Sequence, residues 1–202
     1  MPKPIRTQAT VAEYFAADEA SPDQLCLIDG EIFVMQGGTA QHSRICRNIT
    51  VIVDPALRGK PCEYFEPGLR IRYGRRADYG YADGTIVCGE AQFDPVDPQT
   101  RTLLNPRIIF EVLSDSTQNF DRVDKFLRYK SIPSFEEYVL ISQHTPLVQT
   151  YLRDPNGGWN ALDYVGLEET VTLRSLGVKM AMSELYRNVE FPSPPMRLAE
   201  EE

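Results

Sequence analysis

The sequence predicts a single α/β domain, and three observations lead there. The chain has 202 residues, 42% hydrophobic and 25% charged, which is the size and composition of one domain with a sizeable core. Two apolar, β-branched runs, DGTIVC at 83–88 and RIIFEVL at 107–113, read as central strands buried on both faces. Apolar residues at helical spacing over 42–57 and 121–130 supply helices to cover them.

The elements run in order along the chain. Thr10 is a plausible N-cap for a short helix within TQATVAEYFAA (7–17), which SPDQ at 21–24 ends. Residues 25–35 read as a hairpin around Asp29-Gly30, a dipeptide suited to a tight turn with positive φ. After Gly37-Gly38, the residues His42, Ile45, Cys46, Ile49, Ile52 and Val53 fall on one side of a helix that Pro55 and Gly59 bring to an end. Strands are expected at 61–65 and 68–73, and GRRADYG (74–80) as a turn. A Pro- and Asp-rich excursion separates the two central strands. SDSTQN (114–119) then leads into the helix at 121–130, whose packed face is read as Phe120, Val123, Phe126 and Leu127. Strands at 136–142, 147–152, 159–165 and 170–173 and a helical MAMSELY near 180–186 complete a domain spanning 1–191. The Pro- and Glu-rich segment 192–202 is expected to be a flexible tail.

Composition excludes some classes of function. No stretch approaches the roughly 20 apolar residues of a membrane span, and the N-terminus lacks a signal peptide's apolar run, so a cytoplasmic protein is expected. The four cysteines, Cys26, Cys46, Cys62 and Cys88, show no CxxC spacing and read as reduced core residues. A net charge of −8 argues against a protein that grips nucleic acid non-specifically, since that affinity comes mainly from neutralised phosphates.

Two carboxylates mark the candidate site. Asp83 opens one central strand, and Glu111 lies within the next, in the otherwise apolar IIFEVL. A carboxylate buried there without a partner costs several kcal/mol, so a cation, a metal ion or strong hydrogen bonds are expected beside it. If the strands are neighbours, both carboxylates converge on one hard cation, Mg2+ or Mn2+. The alternative is structural, with Glu111 paired to an arginine such as Arg107 and Asp83 a turn residue before Gly84. Asp121, Lys125 and Arg128 share the polar face of the following helix. Lys125 there either joins the site, supporting an attacking water or a developing phosphate charge, or forms a surface pair with Asp121.

The succession LIDGEIFVM, HSRI, YAD-TIVCG, LLNPRIIFEVLSDST and DRVDKFLRYKSIPSFEEYVLIS resembles the Uma-two family, bacterial nucleases with the PD-(D/E)xK restriction-endonuclease-like core. The likeness covers roughly residues 8–187. It implies an α-β-β-β-α-β core around a mixed central sheet flanked by helices, with the helix at 42–57, strands near 69–73, 83–88 and 107–113, the helix at 121–130 and the strand at 136–141. It further implies a metal-dependent endonuclease acting on DNA: Asp83 and Glu111 as metal ligands, and Lys125 as the motif's lysine moved from strand to helix, Leu113 standing where that lysine usually lies. Three departures stand out. Ala82 replaces a usual proline, Gly84 a usual β-branched residue and Cys26 a common glutamate, and the first two could loosen the backbone that aims Asp83.

The remaining candidates are accessory. His42 is read either as approaching the cleft or as a core histidine, and Asp121 as a neighbour of Lys125. Arg70, Arg72, Arg75 and Arg76 form a dense basic patch that fits either a phosphate-tracking edge or a solvated hairpin balanced by Glu63, Glu66 and Asp78. A homodimer would let a small nuclease reach both strands of a duplex. A catalytically inactive module acting in binding or protein interaction is the rival function.

Overall fold

Apolar alternation along the central strand β8 (Ile108–Leu113) decides the layering. Ile108, Phe110 and Val112 point into one core cluster, Ile109 and Leu113 into another. The computed structural model describes residues 3–35, 38–74, 76–113 and 120–191, the side chains at 120–122 excepted. The expected tail at 192–202, the 114–119 segment, Arg75 and the Asp121 side chain therefore lie outside the described residues.

The first half of the chain forms helix α1 (Val11–Ala20), strands β1 (Leu25–Ile28) and β2 (Glu31–Val34), helix α2 (Ala40–Ala56), and strands β3 (Cys62–Phe65), β4 (Arg70–Tyr73), β5 (Asp78–Tyr81) and β6 (Gly84–Cys88). Then come β7 (Thr102–Leu103), β8, a π-helical turn at Phe120–Lys125 continuing into α3 (Phe126–Tyr129), β9 (Glu137–Ser142), β10 (Leu147–Arg153), β11 (Trp159–Val165), β12 (Thr170–Leu173), β13 (Val178–Ala181) and α4 (Met182–Leu185). The local signals are realised. Thr10 and Glu13 form a reciprocal capping box on α1. Asp29 and Gly30, with φ of 51° and 81°, make the tight turn between β1 and β2. The Thr39 hydroxyl accepts from the His42 N–H at 3.1 Å and caps α2.

A six-stranded mixed sheet runs β11-β10-β9-β8-β6-β3, with only β8 and β9 parallel. One face is covered by α2, α4 and the β12–β13 ribbon through Ile45, Ile49, Val53, Met180 and Leu185. The other meets α3 and β4, where Phe126, Tyr129, Tyr138, Ile71 and Tyr73 pack together. A second sheet runs β2-β1-β5-β4-β7, with α1 laid against it through Tyr14 and Phe15. This is the expected mixed α/β architecture. Among the described residues, no helix is long and apolar enough to cross a membrane.

Several expectations are corrected. The strand at 70–73 belongs to the second sheet, and β3 takes the place beside β6. Residues 78–81 continue as β5 rather than a turn; all four are buried, and burial overrides the loop character of Asp78 and Gly80. The 120–130 helix presents a different face: Val123 and Leu127 are exposed, while Lys125, Phe126 and Tyr129 are buried. The wider π turn changes the register, and aromatic packing of Phe126 on Tyr138 and Trp159 sets the angle of α3. Cys62 and Cys88 are not reduced core thiols but a disulfide, because the antiparallel β3–β6 register puts them directly opposite each other. Cys26 and Cys46 remain free and buried.

Arg70 is only 2% exposed. Its guanidinium pairs with Asp18 of α1 and, at 3.2 Å, with Asp97 of the 93–106 excursion, and it lies over the Phe15 ring. It therefore has no surface to offer a phosphate. The excursion that looked like a loop supplies the counter-charge: Asp97 also accepts from the Gln99 and Arg101 N–H groups and the Thr102 hydroxyl. Burial pushes the Asp97 carboxyl upward, but these donors and Arg70 together hold it below the usual carboxylate range. The folded state then binds fewer protons than the unfolded chain near that range, so this stabilisation is full above the ordinary Asp pKa and is lost as pH falls through the folded value. Urea titrations across the acid range will show a steeper loss of stability for the native chain than for Asp97→Asn. Thiol titration in denaturant will find two reactive thiols before reduction and four after it.

Candidate functional site

The site begins in the β6–β8 pairing. Gly84 lies opposite Phe110 at the end of this antiparallel register, with Asp83 the residue before Gly84 and Glu111 the residue after Phe110. The Asp83 N–H donates to the Phe110 carbonyl at 3.1 Å, and the Val112 N–H returns a bond to Asp83 Oδ2 at 2.7 Å. The backbone of one carboxylate's strand thus fixes the side chain of the other. The two residues that the sequence singled out are brought together on neighbouring strands.

Glu111 is 3% exposed and carries its compensation with it. Lys125 Nζ sits 3.0 and 3.1 Å from its two carboxylate oxygens, and the Tyr129 hydroxyl donates to Oε1 at 2.8 Å. Lys125 also donates to the Tyr81 carbonyl at 3.4 Å. Lys125 closes the π turn and Tyr129 ends α3 one turn later, so both reach the same carboxylate. The surface reading of Lys125 is overturned, since the residue is 6% exposed. The alternative partner for Glu111 also fails: Arg107 pairs with Glu136 and donates to the Ser175 carbonyl.

His42 approaches from α2 and is a site neighbour. Its Nε2 lies 3.1 Å from Asp83 Oδ1, and its Nδ1 lies 3.6 Å from the Cys46 sulfur. Burial, then the nearby Asp83 and Glu111 charges, push the Cys46 thiol up, so it rests as S–H. Cys46 and Tyr129 were not singled out by the sequence reading. Their signal lay in i,i+4 spacing from His42 and Lys125, which acquires meaning only once the helix faces are known.

The basic patch is not one surface. Arg70 is internal, and Arg72 is half-exposed with Nη1 3.4 Å from Asp94. Arg76 is exposed and lines a cleft of about 740 Å³ with Asp124, Arg128 and Lys130. Arg128 there is held by Asp29 and Asp78. This cleft's walls do not include Asp83 or Glu111.

Residues 11–183 match the Uma2 family, described as "Putative restriction endonuclease". Two uncharacterized proteins of Synechocystis sp. are similar: slr1290 is 29% identical over 180 residues, covering 89% of this chain and 92% of its own, and sll1609 is 30% identical over 157 residues, covering 78% and 88%. In structure the chain is similar to a crystal structure described as "a putative nuclease belonging to DUF820" from Anabaena variabilis, with a TM-score of 0.69 and 15% identity over 88% of this chain and 97% of that one.

Removing one member of the buried pair separates charge compensation from packing. Lys125→Met leaves Glu111 as a buried carboxylate facing an apolar side chain and should destabilise the fold by about 3–5 kcal/mol. Adding Glu111→Leu should recover most of that loss, because two apolar groups of similar volume replace the pair. Chemical denaturation of both variants reads this directly, and equal destabilisation in single and double variants would refute charge compensation.

Proposed function

Because the chain belongs to the Uma2 family, we propose that it is a metal-dependent endonuclease that hydrolyses DNA phosphodiester bonds, with Asp83 and Glu111 as the ligands of Mg2+ or Mn2+. One observation carries this reading: the N–H of Val112, the residue after Glu111, holds Asp83 Oδ2 at 2.7 Å, so the two carboxylates stand on directly bonded backbone, with Lys125 Nζ 3.0 Å from Glu111. The donor set fits the ion, since carboxylate oxygens are what hard divalent cations take. Such an ion supplies positive charge against the scissile phosphate and lowers the pKa of an attacking water.

The chain's own residues do the rest. Val112 N–H and His42 hold Asp83 from either oxygen. Tyr129 and Lys125 fix Glu111 in place, and the Lys125 ammonium puts a positive charge where negative charge builds on the phosphate in the transition state. Arg72 and Arg76 are the remaining described candidates for contacting the nucleic-acid backbone. A pair of copies would be needed to cut both strands of a duplex at once.

An inactive binding module is the rival, and the ion pair already satisfying Glu111 together with the net charge of −8 speaks for it. Calorimetry with Mn2+ and Mg2+ separates the two without a guess at sequence preference. The nuclease reading expects binding by the native chain that is lost in Asp83→Asn and in Glu111→Gln, and Mn2+-dependent nicking of supercoiled DNA lost in the same variants. A native chain that binds neither ion at several millimolar refutes it and favours the binding module.

A further inference from the structure

We propose that His42, Cys46 and Asp83 form a second metal site, selective for a borderline, thiophilic ion such as Zn2+ or Co2+, which shares Asp83 with the hard-cation pair. His42 and Cys46 are i,i+4 neighbours on the 17-residue helix α2, so both side chains leave one helix face, and Asp83 meets them from the start of β6. One ligand atom from each residue lies within 4.8 Å of the other two. Tetrahedral bonds of 2.0–2.3 Å put ligand atoms about 3.3–3.8 Å apart, so side-chain rotations must draw the three together. The imidazole lies between them, with Nε2 toward Asp83 and Nδ1 toward Cys46, and one of these two contacts gives way when a ring nitrogen takes the ion.

The chemistry of the set differs from that of the carboxylate pair. A thiolate and an imidazole favour zinc or cobalt over magnesium, whereas Asp83 with Glu111 offers oxygen alone. As the sulfur–metal bond forms, the Cys46 proton leaves to solvent. The Asp83 and Glu111 carboxylates beside Cys46 put negative charge around the three ligand atoms, which favours a dication there.

An independent feature lies alongside. The Tyr64 side chain is buried at 7% exposure, and its hydroxyl has no hydrogen-bond partner among the described residues. It rests against Gly84, the residue after Asp83: a Cβ on Gly84 would lie 2.5 Å from the Tyr64 oxygen. The Thr50 hydroxyl nearby donates to the Cys46 carbonyl at 3.2 Å and keeps acceptor capacity toward the phenol. A buried phenol beside Asp83 is suited to hydrogen-bond a solvent molecule completing the ion's fourth position.

Cobalt reports the site directly. One equivalent of Co2+ added to the full chain should give a near-ultraviolet thiolate-to-cobalt charge-transfer band and the visible bands of a four-coordinate ion. That band should vanish in Cys46→Ser, persist in Cys26→Ser, and persist in Glu111→Gln, which disables the proposed nuclease pair but none of these three ligands. Zn2+ affinity, read by competition with a chromophoric chelator, should fall by more than about tenfold in Cys46→Ser and in His42→Asn, circular dichroism confirming that each variant is folded. No charge-transfer band in the native chain, or a band that survives Cys46→Ser, overturns the proposal. A band that persists in Glu111→Gln while Mn2+ binding fails in the native chain upholds this site and sinks the nuclease reading alone.

Discussion

The organisation of the site stems from one constraint: a carboxylate in the middle of a buried strand must be compensated. Glu111 stands in β8 with apolar neighbours on either side, and hydrocarbon packing offers nothing to a charge. The compensation comes from a segment more than ten residues on. The π turn brings Lys125 inward, and Tyr129, four residues later, adds a hydroxyl donor to the same carboxylate. Helix and strand are thereby locked at the place where β6 delivers Asp83. The apolar side chains Val123 and Leu127 are left exposed, so the electrostatic demand of Glu111 and the aromatic packing behind it outweigh the burial of two aliphatic residues.

The same logic operates in the second sheet. Arg70 is buried in β4 and draws its counter-charges from α1 and from the excursion before β7. Asp18 also accepts from the Leu25 N–H and the Tyr81 hydroxyl, so one carboxylate ties the first helix, the first hairpin and β5 together. Because Tyr81 lies two residues before Asp83, this network anchors the backbone that enters the site. The second sheet is therefore a support for the first, and its buried charges hold α1, β1, β4 and β5 in position.

Much of this was legible in the sequence. The capping pattern at Thr10, the Asp29-Gly30 turn, the apolar strands and the carboxylates within them are local signals, and local structure obeyed them. What escaped were consequences of pairing between distant segments. Cys62 and Cys88 are 26 positions apart, and only the β3–β6 register makes them partners. A guanidinium at Arg70 looks like surface until Asp97 is seen folded back over it. Lys125 looked like the polar side of a helix because a uniform α-helical period was assumed, and a π turn shifts that period. Residues 78–80 looked like the end of a turn because Asp78 and Gly80 carry loop chemistry, yet Asp78 is buried with its carboxylate held by Arg128.

The departures from the family pattern around Asp83 can now be weighed physically. A smaller residue loosens a strand only if nothing takes up the space or the polar groups it leaves. At position 84 the space is taken: the Tyr64 hydroxyl occupies the volume a β-branched side chain would need, and the Tyr64 ring meets Phe110 edge-on at 6.2 Å across the sheet face. Ala82 is buried in the cluster of Leu113, Phe126 and Tyr129, where a small side chain lets the helix after the π turn approach β6. Asp83 itself is fixed at both oxygens, by Val112 N–H on one side and His42 on the other. Glycine at 84 therefore exchanges one means of rigidity for another and, in doing so, admits a phenol to the edge of the site. That exchange puts a hydroxyl, a thiol and an imidazole on the α2 side of Asp83, opposite the oxygen-only side that Glu111 provides. A single aspartate then stands between two chemically distinct donor sets, and for any ion bound there ligand softness would set the preference between them.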